Sequence, residues 1–366
     1  MSWRLGKWSK LILECDFDKV EVPIFRASAR GKQIPLLKTL LSNYCTNQCM
    51  YCPFRLGCSK EKLTWDLERL TRVTFKLWKD RRIEGLFLSS SIPRDPDQVV
   101  EWEVEVAERL RKMGFNGYIH LRLMPGTSRD LIWRAAEVAD RIGVNLEAPT
   151  RDIFDELAPG KADYRNDILK RLEWASQAER ALRDKGRLSD YGYLKAGIDT
   201  QMIIGAVEED KDMDYVLATY DLYRKLGLRR VYYSGFRPVR GTPLEDRPPC
   251  PSERELRLYR VSFLIRDYGF SPAELSSIMQ DGMLPNEDPK LAFAQANPHL
   301  YPIDPNEATF EELLKVPGIG PIGAKKLLRL RDAKGCITVY DVMRVLGRAR
   351  ARLAVKYLDV RYQGLV

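Results

Sequence analysis

Three of the seven cysteines of this 366-residue chain lie within eight positions, at Cys45, Cys49 and Cys52. Their spacing, C-x3-C-x2-C, places three thiols on one short segment directly after a candidate strand. Three thiolates suit an iron–sulfur cluster in which one iron has no protein ligand. An open metal position is typical of a catalytic site, because a substrate or cofactor can occupy it. The pattern therefore predicts a 4Fe–4S cluster that takes part in chemistry.

A zinc-binding turn is the alternative interpretation of these cysteines. Structural zinc sites favour C-x2-C pairs and a full set of four ligands, and Cys58 could supply the fourth. The spacing of the first two thiols and the strand before them favour the cluster. Cys58 is then a thiol of the following loop, and the zinc alternative stays open.

The composition narrows the possible classes of function. The chain is 45% apolar and 30% charged, which is ordinary for a globular protein with a substantial core. Its two histidines, His120 and His299, argue against His-rich zinc chemistry and against a Ser-His-Asp triad. The net charge of +9 has the sign expected of a polyanion binder. The lack of an apolar run near the roughly 20 residues of a membrane span, and of a signal-peptide pattern, predicts a cytoplasmic protein without a membrane partner.

Short apolar runs alternate with amphipathic stretches between about residues 35 and 270. The candidate strands are Leu36–Ser42, Gly85–Ser90, Gly117–Arg122, Gly143–Glu147, Thr200–Gly205 and Arg230–Phe236. The candidate helices are Leu63–Lys79, Asp97–Met113, Ser128–Ile142, Arg165–Lys185, Asp210–Leu226 and Ser252–Tyr268. This alternation predicts a parallel α/β sheet with right-handed crossovers. Six such units predict a TIM-like partial (β/α)6 barrel, with its site at the carboxyl ends of the strands.

The remaining segments divide the chain further. Residues 1–34 are interpreted as an N-terminal extension and residues 35–283 as the barrel domain. Residues 284–305 are rich in Pro, Asn and Asp, which predicts a linker that packs on the surface. Residues 306–366 form a helical segment with 12 Lys and Arg against 6 Asp and Glu. We therefore expect a small, basic, all-α domain at the C-terminus.

The segment Leu41–Pro53 resembles the cluster motif of the radical S-adenosylmethionine (SAM) superfamily. In that superfamily SAM chelates the free iron, and its cleavage gives a 5′-deoxyadenosyl radical that abstracts a hydrogen atom. The resemblance implies SAM as a cofactor beside the 4Fe–4S cluster, and an electron donor such as ferredoxin or flavodoxin. It also implies that Tyr51 packs near the adenine. Cys58, as a thiol near such a radical, is a candidate hydrogen-atom donor.

Three further stretches stand where the superfamily binds SAM. The first replaces a Gly-Gly-Glu-like motif that holds the methionyl ammonium, and it lacks the glutamate. The second places two polar residues on one strand face, which suits a ribose or methionine, although an exposed strand face explains them equally well. The third resembles the adenine-contacting motif G-x-I-x-G-x-x-E, with Gln201 in place of the first glycine. The first stretch contains Ser89, Ser90 and Ser91, the second contains Asn145 and Glu147, and the third contains Ile203, Gly205 and Glu208.

The C-terminal segment contains a helical pattern, a Pro-Gly-Ile-Gly turn and a second helical pattern between Phe310 and Leu328. This order resembles a helix-hairpin-helix element. Glycines permit the tight turn, and the N–H groups that open the next helix would face a phosphate. A structural or protein-binding helical cap is the alternative. The predicted nucleic-acid contacts are Gly318, Gly320, Lys325, Lys326, Arg329 and Arg331.

Taken in order, these motifs resemble a family of radical SAM proteins assigned to DNA modification or repair, associated with a uracil-DNA-glycosylase-like partner. The resemblance covers residues 22–360 and implies a nucleic-acid substrate, with DNA favoured over tRNA. We therefore expect a radical SAM enzyme that modifies or repairs a nucleotide in DNA or RNA. Two alternatives stay open. One is a radical SAM enzyme acting on a peptide or small metabolite, with the hairpin as a docking surface. The other is a non-catalytic nucleic-acid-binding protein with a structural metal site.

Overall fold

A computed structural model describes residues 24–29, 32–58, 61–186 and 190–360. A seven-stranded sheet organises the N-terminal part of the chain, and its strands lie side by side in sequence order. The strands are β1 (Phe25–Ala29), β2 (Lys32–Leu40), β3 (Gly85–Ser89), β4 (Tyr118–Leu123), β5 (Arg141–Val144), β6 (Gly197–Ile204) and β7 (Arg230–Gly235). Strands β1 and β2 pair antiparallel, and all later neighbours pair parallel. The predicted mixed α/β architecture with parallel strands is confirmed.

The two faces of the sheet differ in chemistry. On β4 the buried apolar residues Ile119, Leu121 and Leu123 alternate with His120 and Arg122. Because successive side chains of a strand point to opposite faces, the apolar set shares one face and the polar pair the other. The strand pattern therefore explains both an apolar packing face and a second face that can carry charged groups.

Helices connect the consecutive parallel strands. Helix α1 begins after Asp66, whose carboxylate accepts a hydrogen bond from the Arg69 N–H at 2.8 Å, and its apolar residues are buried along one side. The predicted helix Ser128–Ile142 ends earlier, at Val138, because β5 begins at Arg141. The connecting elements are α1 (Leu67–Lys79), α2 (Pro96–Lys112), α3 (Arg129–Val138), α4 (Arg151–Leu157), a π-helical turn (Tyr164–Leu169) and α5 (Lys170–Asp184).

The described residues form two compact units. The first comprises the chain up to Asp210 together with Arg224–Cys250, and the second comprises Lys211–Tyr223 and the chain from Pro251 onward. The helices of the second part are α6 (Asp212–Arg224), α7 (Ser252–Asp267), α8 (Pro272–Ser276), α9 (Pro289–Ala296), a 3-10 turn (Pro298–Leu300), α10 (Phe310–Lys315), α11 (Pro321–Lys334), α12 (Val339–Leu346) and α13 (Arg348–Ala354). None of the helices in the described ranges is long and apolar enough to cross a membrane.

The second unit has its own apolar core. Leu313, Leu327 and Val342 are buried at its centre, on α10, α11 and α12. Residues 284–305, which the sequence predicts as a linker, contain α9 and bury Phe293. The ring of Phe293 packs edge-to-face on Phe270 with centroids 5.0 Å apart. This segment is therefore part of the packed core of the second unit.

Candidate functional site

The cysteine segment is an irregular loop that follows β2. Its backbone is fixed by hydrogen bonds to segments that follow other strands: the Thr46 N–H donates to the Ile92 carbonyl after β3, and the Met50 N–H donates to the Leu157 carbonyl after β5, both at 2.9 Å. The Asn43 side chain accepts from the Leu63 N–H at 2.7 Å. The loop therefore lies at the carboxyl ends of the parallel strands, where α/β folds place their sites.

The three predicted cluster ligands lie in this loop. Cys45 and Cys49 are buried and Cys52 is partly buried, and all three are free thiols. Burial, together with smaller contributions from Cys49 and Cys45, raises the pKa of Cys52 to about 12. Burial also raises the pKa of Cys49, while the nearby ammonium of Lys161 opposes that rise. Within the described ranges, no three His, Cys, Asp or Glu side chains converge on one point as ligands of a single metal ion.

An iron–sulfur cluster fits this donor set by its chemistry. Three thiols sit on one loop, and each lies close enough to influence the ionisation of another. Metal binding would displace their protons, since the thiolate is the ligand. Cys58 lies farther along the same loop, partly buried, and its N–H donates to the Arg55 carbonyl at 3.1 Å.

A buried ion pair adjoins the thiols. Lys161 Nζ donates to Glu147 Oε1 at 2.6 Å, and the two side chains are 11% and 4% exposed. Burial alone would lower the pKa of Lys161, yet the charge of Glu147 raises it above its usual value. Burial and then Glu147 raise the pKa of Tyr51 well above its usual range, so Tyr51 is the third member of this group. The sequence does not predict a role for Lys161, because nothing in its loop identifies it as a partner of Glu147.

Glu147 has an unusual backbone. Its φ is +65°, an uncommon value for a residue other than glycine. The surrounding hydrogen bonds hold it there: its N–H donates to the Gln201 carbonyl at 2.9 Å, and its carbonyl accepts from the Ile203 N–H at 2.8 Å. Strain of this kind persists where the surroundings impose it, often at functional sites. From this position the Glu147 carboxylate pairs with Lys161 and interacts with Tyr51.

The serine turn after β3 lies against the start of the cysteine loop. The Leu41 N–H donates to the Ser89 carbonyl at 2.7 Å, and the Ser91 N–H donates to the Ser42 carbonyl at 2.9 Å. The Ser90 hydroxyl donates to the Ser91 carbonyl at 3.0 Å. The structure thus brings Ser89, Ser90 and Ser91 beside the cysteine segment, with the Ser90 hydroxyl bonded to backbone.

The remaining predicted SAM contacts differ in their burial and in their distance from the group around Glu147. Asn145 Oδ1 is buried without a hydrogen-bond partner, whereas Ile203 joins the site through its backbone bond to Glu147. Gly205 has φ +74°, and a Cβ there would lie 2.9 Å from Cys250 Cβ. The Gly205 N–H donates to Asp210 Oδ2 at 2.7 Å. Glu208 is exposed, and the structure does not place it with the group around Glu147.

A buried charge network fills the polar face of the sheet. Asp199 Oδ1 lies 2.7 Å from Arg122 Nη1, and Asp199 Oδ2 lies 3.1 Å from His120 Nε2. Arg141 Nη1 lies 3.8 Å from Asp199 Oδ2. Burial lowers the pKa of His120 to about 4, although Asp199 opposes that shift. The arginines and His120 lower the pKa of Asp199 to about 2 against the effect of burial, so the pair is neutral His and ionised Asp at neutral pH.

The predicted hairpin lies between α10 and α11 in the second unit. Gly318 has φ +86°, and a Cβ there would lie 2.6 Å from the Arg350 carbonyl oxygen, so a larger residue is excluded. Gly320 caps α11 without a side-chain hydrogen bond, and Pro321 opens the helix. The carbonyl of Gly320 accepts from the Ala324 N–H at 2.9 Å. The turn therefore ends at a helix start that no side chain caps.

The four predicted cations of α11 divide into two kinds. Lys325, Lys326 and Arg329 are exposed. Arg331 is partly buried, and its Nη1 donates to the carbonyls of Asn306 and Ala308 at 3.2 and 2.7 Å. Arg331 therefore anchors the start of the C-terminal segment, a role that its position in the sequence does not reveal.

The chain was also compared with known proteins. No family model matches it. Over 246 residues it is 22% identical to an uncharacterized protein of Methanocaldococcus jannaschii, covering 64% of this chain and 58% of that protein. The chain thus spans little more than half the length of this curated relative.

Three solved structures show similarity at low identity. A crystal structure of HydG, a maturase of the FeFe-hydrogenase, has a TM-score of 0.47 at 13% identity, covering 63% of this chain and 49% of that one. HydG from Carboxydothermus hydrogenoformans has a TM-score of 0.48 at 15% identity, covering 63% and 51%. Methylornithine synthase (PylB) has a TM-score of 0.48 at 19% identity and covers 65% of each chain.

Proposed function

We propose that this protein is a radical SAM enzyme in which Cys45, Cys49 and Cys52 hold a 4Fe–4S cluster. The observation that carries the proposal is the position of the three thiols on one loop at the carboxyl ends of parallel strands, beside the Glu147–Lys161 pair. When bound, the cluster and SAM would supply a 5′-deoxyadenosyl radical. The protein's own part is to bind, orient and shield these groups.

The SAM contacts inferred from the superfamily pattern are assigned to this same edge. Asn145 Oδ1 needs a hydrogen-bond donor, and a hydroxyl of a bound ribose would supply one. The ring of Tyr51 and the backbone of Ile203 and Gly205 are assigned to the adenine side. The Ser89–Ser91 turn is assigned to the methionyl ammonium. The exposed position of Glu208 makes its contribution the weakest of the set.

We further infer that the substrate is a nucleotide in DNA or RNA, with DNA favoured. The support is the helix-hairpin-helix pattern: an uncapped start of α11 after Gly318 and Gly320, followed by exposed Lys325, Lys326 and Arg329. Helix N-termini bind phosphates through their free N–H groups, and such backbone contacts carry little sequence information. A target base would leave its stack to reach the radical. A flavodoxin or ferredoxin as reductant and a uracil-DNA-glycosylase-like partner belong to the same proposal.

The test is release of 5′-deoxyadenosine by the anaerobically reconstituted and reduced protein, with duplex DNA, single-stranded DNA, tRNA or no addition. We expect one nucleic acid to raise release above the level without addition. Slow and equal release in all four samples would keep the radical chemistry and move the substrate to a peptide or small metabolite. One zinc per chain with no iron would overturn the enzyme assignment and leave a structural metal site. A C52A variant treated identically is the control for background release.

A further inference from the structure

A buried lysine reaches the hairpin turn from outside it. Lys290 lies on α9 and is only 7% exposed. Its ammonium donates a hydrogen bond to the carbonyl of Ile319, which lies in the turn between α10 and α11. Lys290 therefore contacts the segment that we propose to bind phosphate, although it lies about thirty residues before it in the sequence.

Tyr268, the residue that follows α7, supports this contact. The Lys290 ammonium lies 4.8 Å from the centroid of the Tyr268 ring, a distance at which the ring face attracts a cation. The Tyr268 hydroxyl lies against the next residue of the turn, since a Cβ on Gly320 would be 3.2 Å from it. Two neighbouring side chains thus lie against successive residues of the turn, Lys290 at Ile319 and Tyr268 at Gly320.

Burying an ammonium at this position is unfavourable on its own. A buried charge is disfavoured unless it is paired or hydrogen-bonded, and an apolar side chain of similar volume often gives equal or greater stability. Lys290 has a carbonyl and an aromatic ring as neighbours, with Asp288 at the start of its own helix. Its presence is better explained by what it does to the turn than by stability.

The geometry of the peptide unit shows what that effect is. The Ile319 carbonyl and the Gly320 N–H belong to one planar trans peptide, so they point in opposite directions. Because Lys290 holds the Ile319 carbonyl pointing toward itself, the Gly320 N–H points away from Lys290. That N–H is one of the groups that would bind a phosphate at the start of α11.

We propose that Lys290 is a positioning residue for the phosphate-binding turn, which it holds by the Ile319 carbonyl while adding a positive charge behind it. This inference rests on the proposed nucleic-acid function of the hairpin. Lys290 itself stays buried and touches no phosphate. Its removal should therefore weaken binding without changing the number of phosphates that are neutralised.

The charge of Lys290 also links binding to pH. Burial lowers the pKa of Lys290 to about 7; Asp288 opposes that shift and Lys315 on α10 adds to it. Lys315 is itself paired with Glu274 of α8 at 2.6 Å, and the ring of Tyr268 is the neighbour that follows α7. Lys290 is protonated below pH 7 and loses its charge as the pH rises through that value. Nucleic-acid affinity should fall over the same interval.

The experiment measures fluorescence anisotropy of a labelled duplex with the full chain, at several KCl concentrations and from pH 6 to 8.5. At pH 6.5 we expect K290M to bind about tenfold more weakly with an unchanged slope of log affinity against log salt. The wild type should lose affinity as the pH rises, and K290M should show no such loss. K290R keeps the charge and a donor at all these pH values, so it should bind tightly without the pH dependence.

Two controls separate this role from general effects. K315M removes a neighbouring cation that does not bond to the turn; affinity should still depend on pH, with the midpoint moved to higher pH because Lys315 helps to lower the pKa of Lys290. Thermal unfolding of each variant establishes that it is folded. Equal affinity and equal pH profiles for wild type and K290M would overturn the inference and leave the proposed nucleic-acid function intact. Wild-type protein that binds no duplex, single strand or tRNA would overturn both.

Discussion

The ammonium of Lys161 lies 2.6 Å from the carboxylate of Glu147, and both are buried beside the cysteine loop. The pair lies close to the thiols, since Lys161 and Glu147 both influence the ionisation of Cys49. The pair connects the segment after α4 to the segment after β5, where backbone hydrogen bonds to Gln201 and Ile203 hold the bent backbone of Glu147.

Replacing Lys161 with Met should destabilise the metal-free protein by about 3 kcal/mol, because it leaves the Glu147 carboxylate buried without its partner. Urea unfolding followed by circular dichroism measures this change. The double variant K161M/E147Q removes both charges and should recover part of the loss. A K161M protein as stable as the wild type would contradict the buried pair.

The cysteines offer a direct comparison on one loop. Removing the thiol of Cys45, Cys49 or Cys52 by alanine substitution should abolish the 4Fe–4S cluster, because each is proposed to bind one iron. C58A should retain the cluster, and iron, sulfide and visible absorption after anaerobic reconstitution measure the outcome. Loss of metal in C58A, together with zinc in the wild type, would favour the four-thiol zinc turn.

Much of the scaffold could be predicted from the sequence, because the spacing of apolar residues and the positions of Gly and Pro reflect local structure. The six predicted strands are present, and five of the six predicted helices end within a few residues of their observed C-terminal ends. The exception is the helix predicted from Ser128 through Ile142, since this stretch contains no Gly or Pro to mark where the helix stops and the strand begins. Strand pairing sets this boundary, because Arg141 belongs to β5 and lies opposite His120 on β4 and Gly197 on β6.

The contacts that build the site were less predictable. The spacing of Cys45, Cys49 and Cys52 identifies them as candidate ligands in the sequence. Lys161, in contrast, contacts Glu147 only because the chain returns to the site after α4. The sequence predicts Arg331 as a phosphate contact, yet its guanidinium donates hydrogen bonds to backbone carbonyls. Long-range partners of this kind leave no periodic trace, so only the folded chain reveals them.

Gly143 should tolerate no larger residue. A Cβ at Gly143 would lie 2.0 Å from Asp199 Oδ1 and 2.5 Å from the Asp199 carbonyl oxygen. G143A must therefore displace Asp199 from Arg122, and we expect a loss of more than about 3 kcal/mol in the free energy of unfolding. G227A is the matched control, since Gly227 has a positive φ and no neighbour within 4 Å; it should lose about 1 kcal/mol. Equal effects of the two substitutions would contradict the close approach.

The His120–Asp199 pair predicts how stability depends on pH. His120 has a pKa of about 4 in the folded protein, against roughly 6.5 when unfolded. Between these values the unfolded state binds the additional proton, so stability is present above pH 6.5 and falls as the pH drops toward 4. The loss should be about 3 kcal/mol. Asp199 adds its own loss only at lower pH, because its folded pKa is about 2.

Urea unfolding at intervals from pH 4 to pH 8 tests this dependence. An H120Q variant cannot take up the proton, so its stability should change less than that of the wild type over pH 4 to 6.5. Parallel curves for the two proteins would show that other groups cause the acid sensitivity.

The exposed cations of α11 and the partly buried Arg331 should differ in how they affect nucleic-acid binding. If about three phosphates are neutralised, the log affinity of the wild type should fall with log salt at a slope near −3. The double variant K325A/K326A should reduce the steepness by about two, because both lysines are exposed beside the hairpin. R331A should instead lower the unfolding temperature and keep the slope, because its Nη1 is bonded to the carbonyls of Asn306 and Ala308. Anisotropy titrations at four salt concentrations measure the slopes, and a slope unchanged in K325A/K326A would remove α11 from the interface.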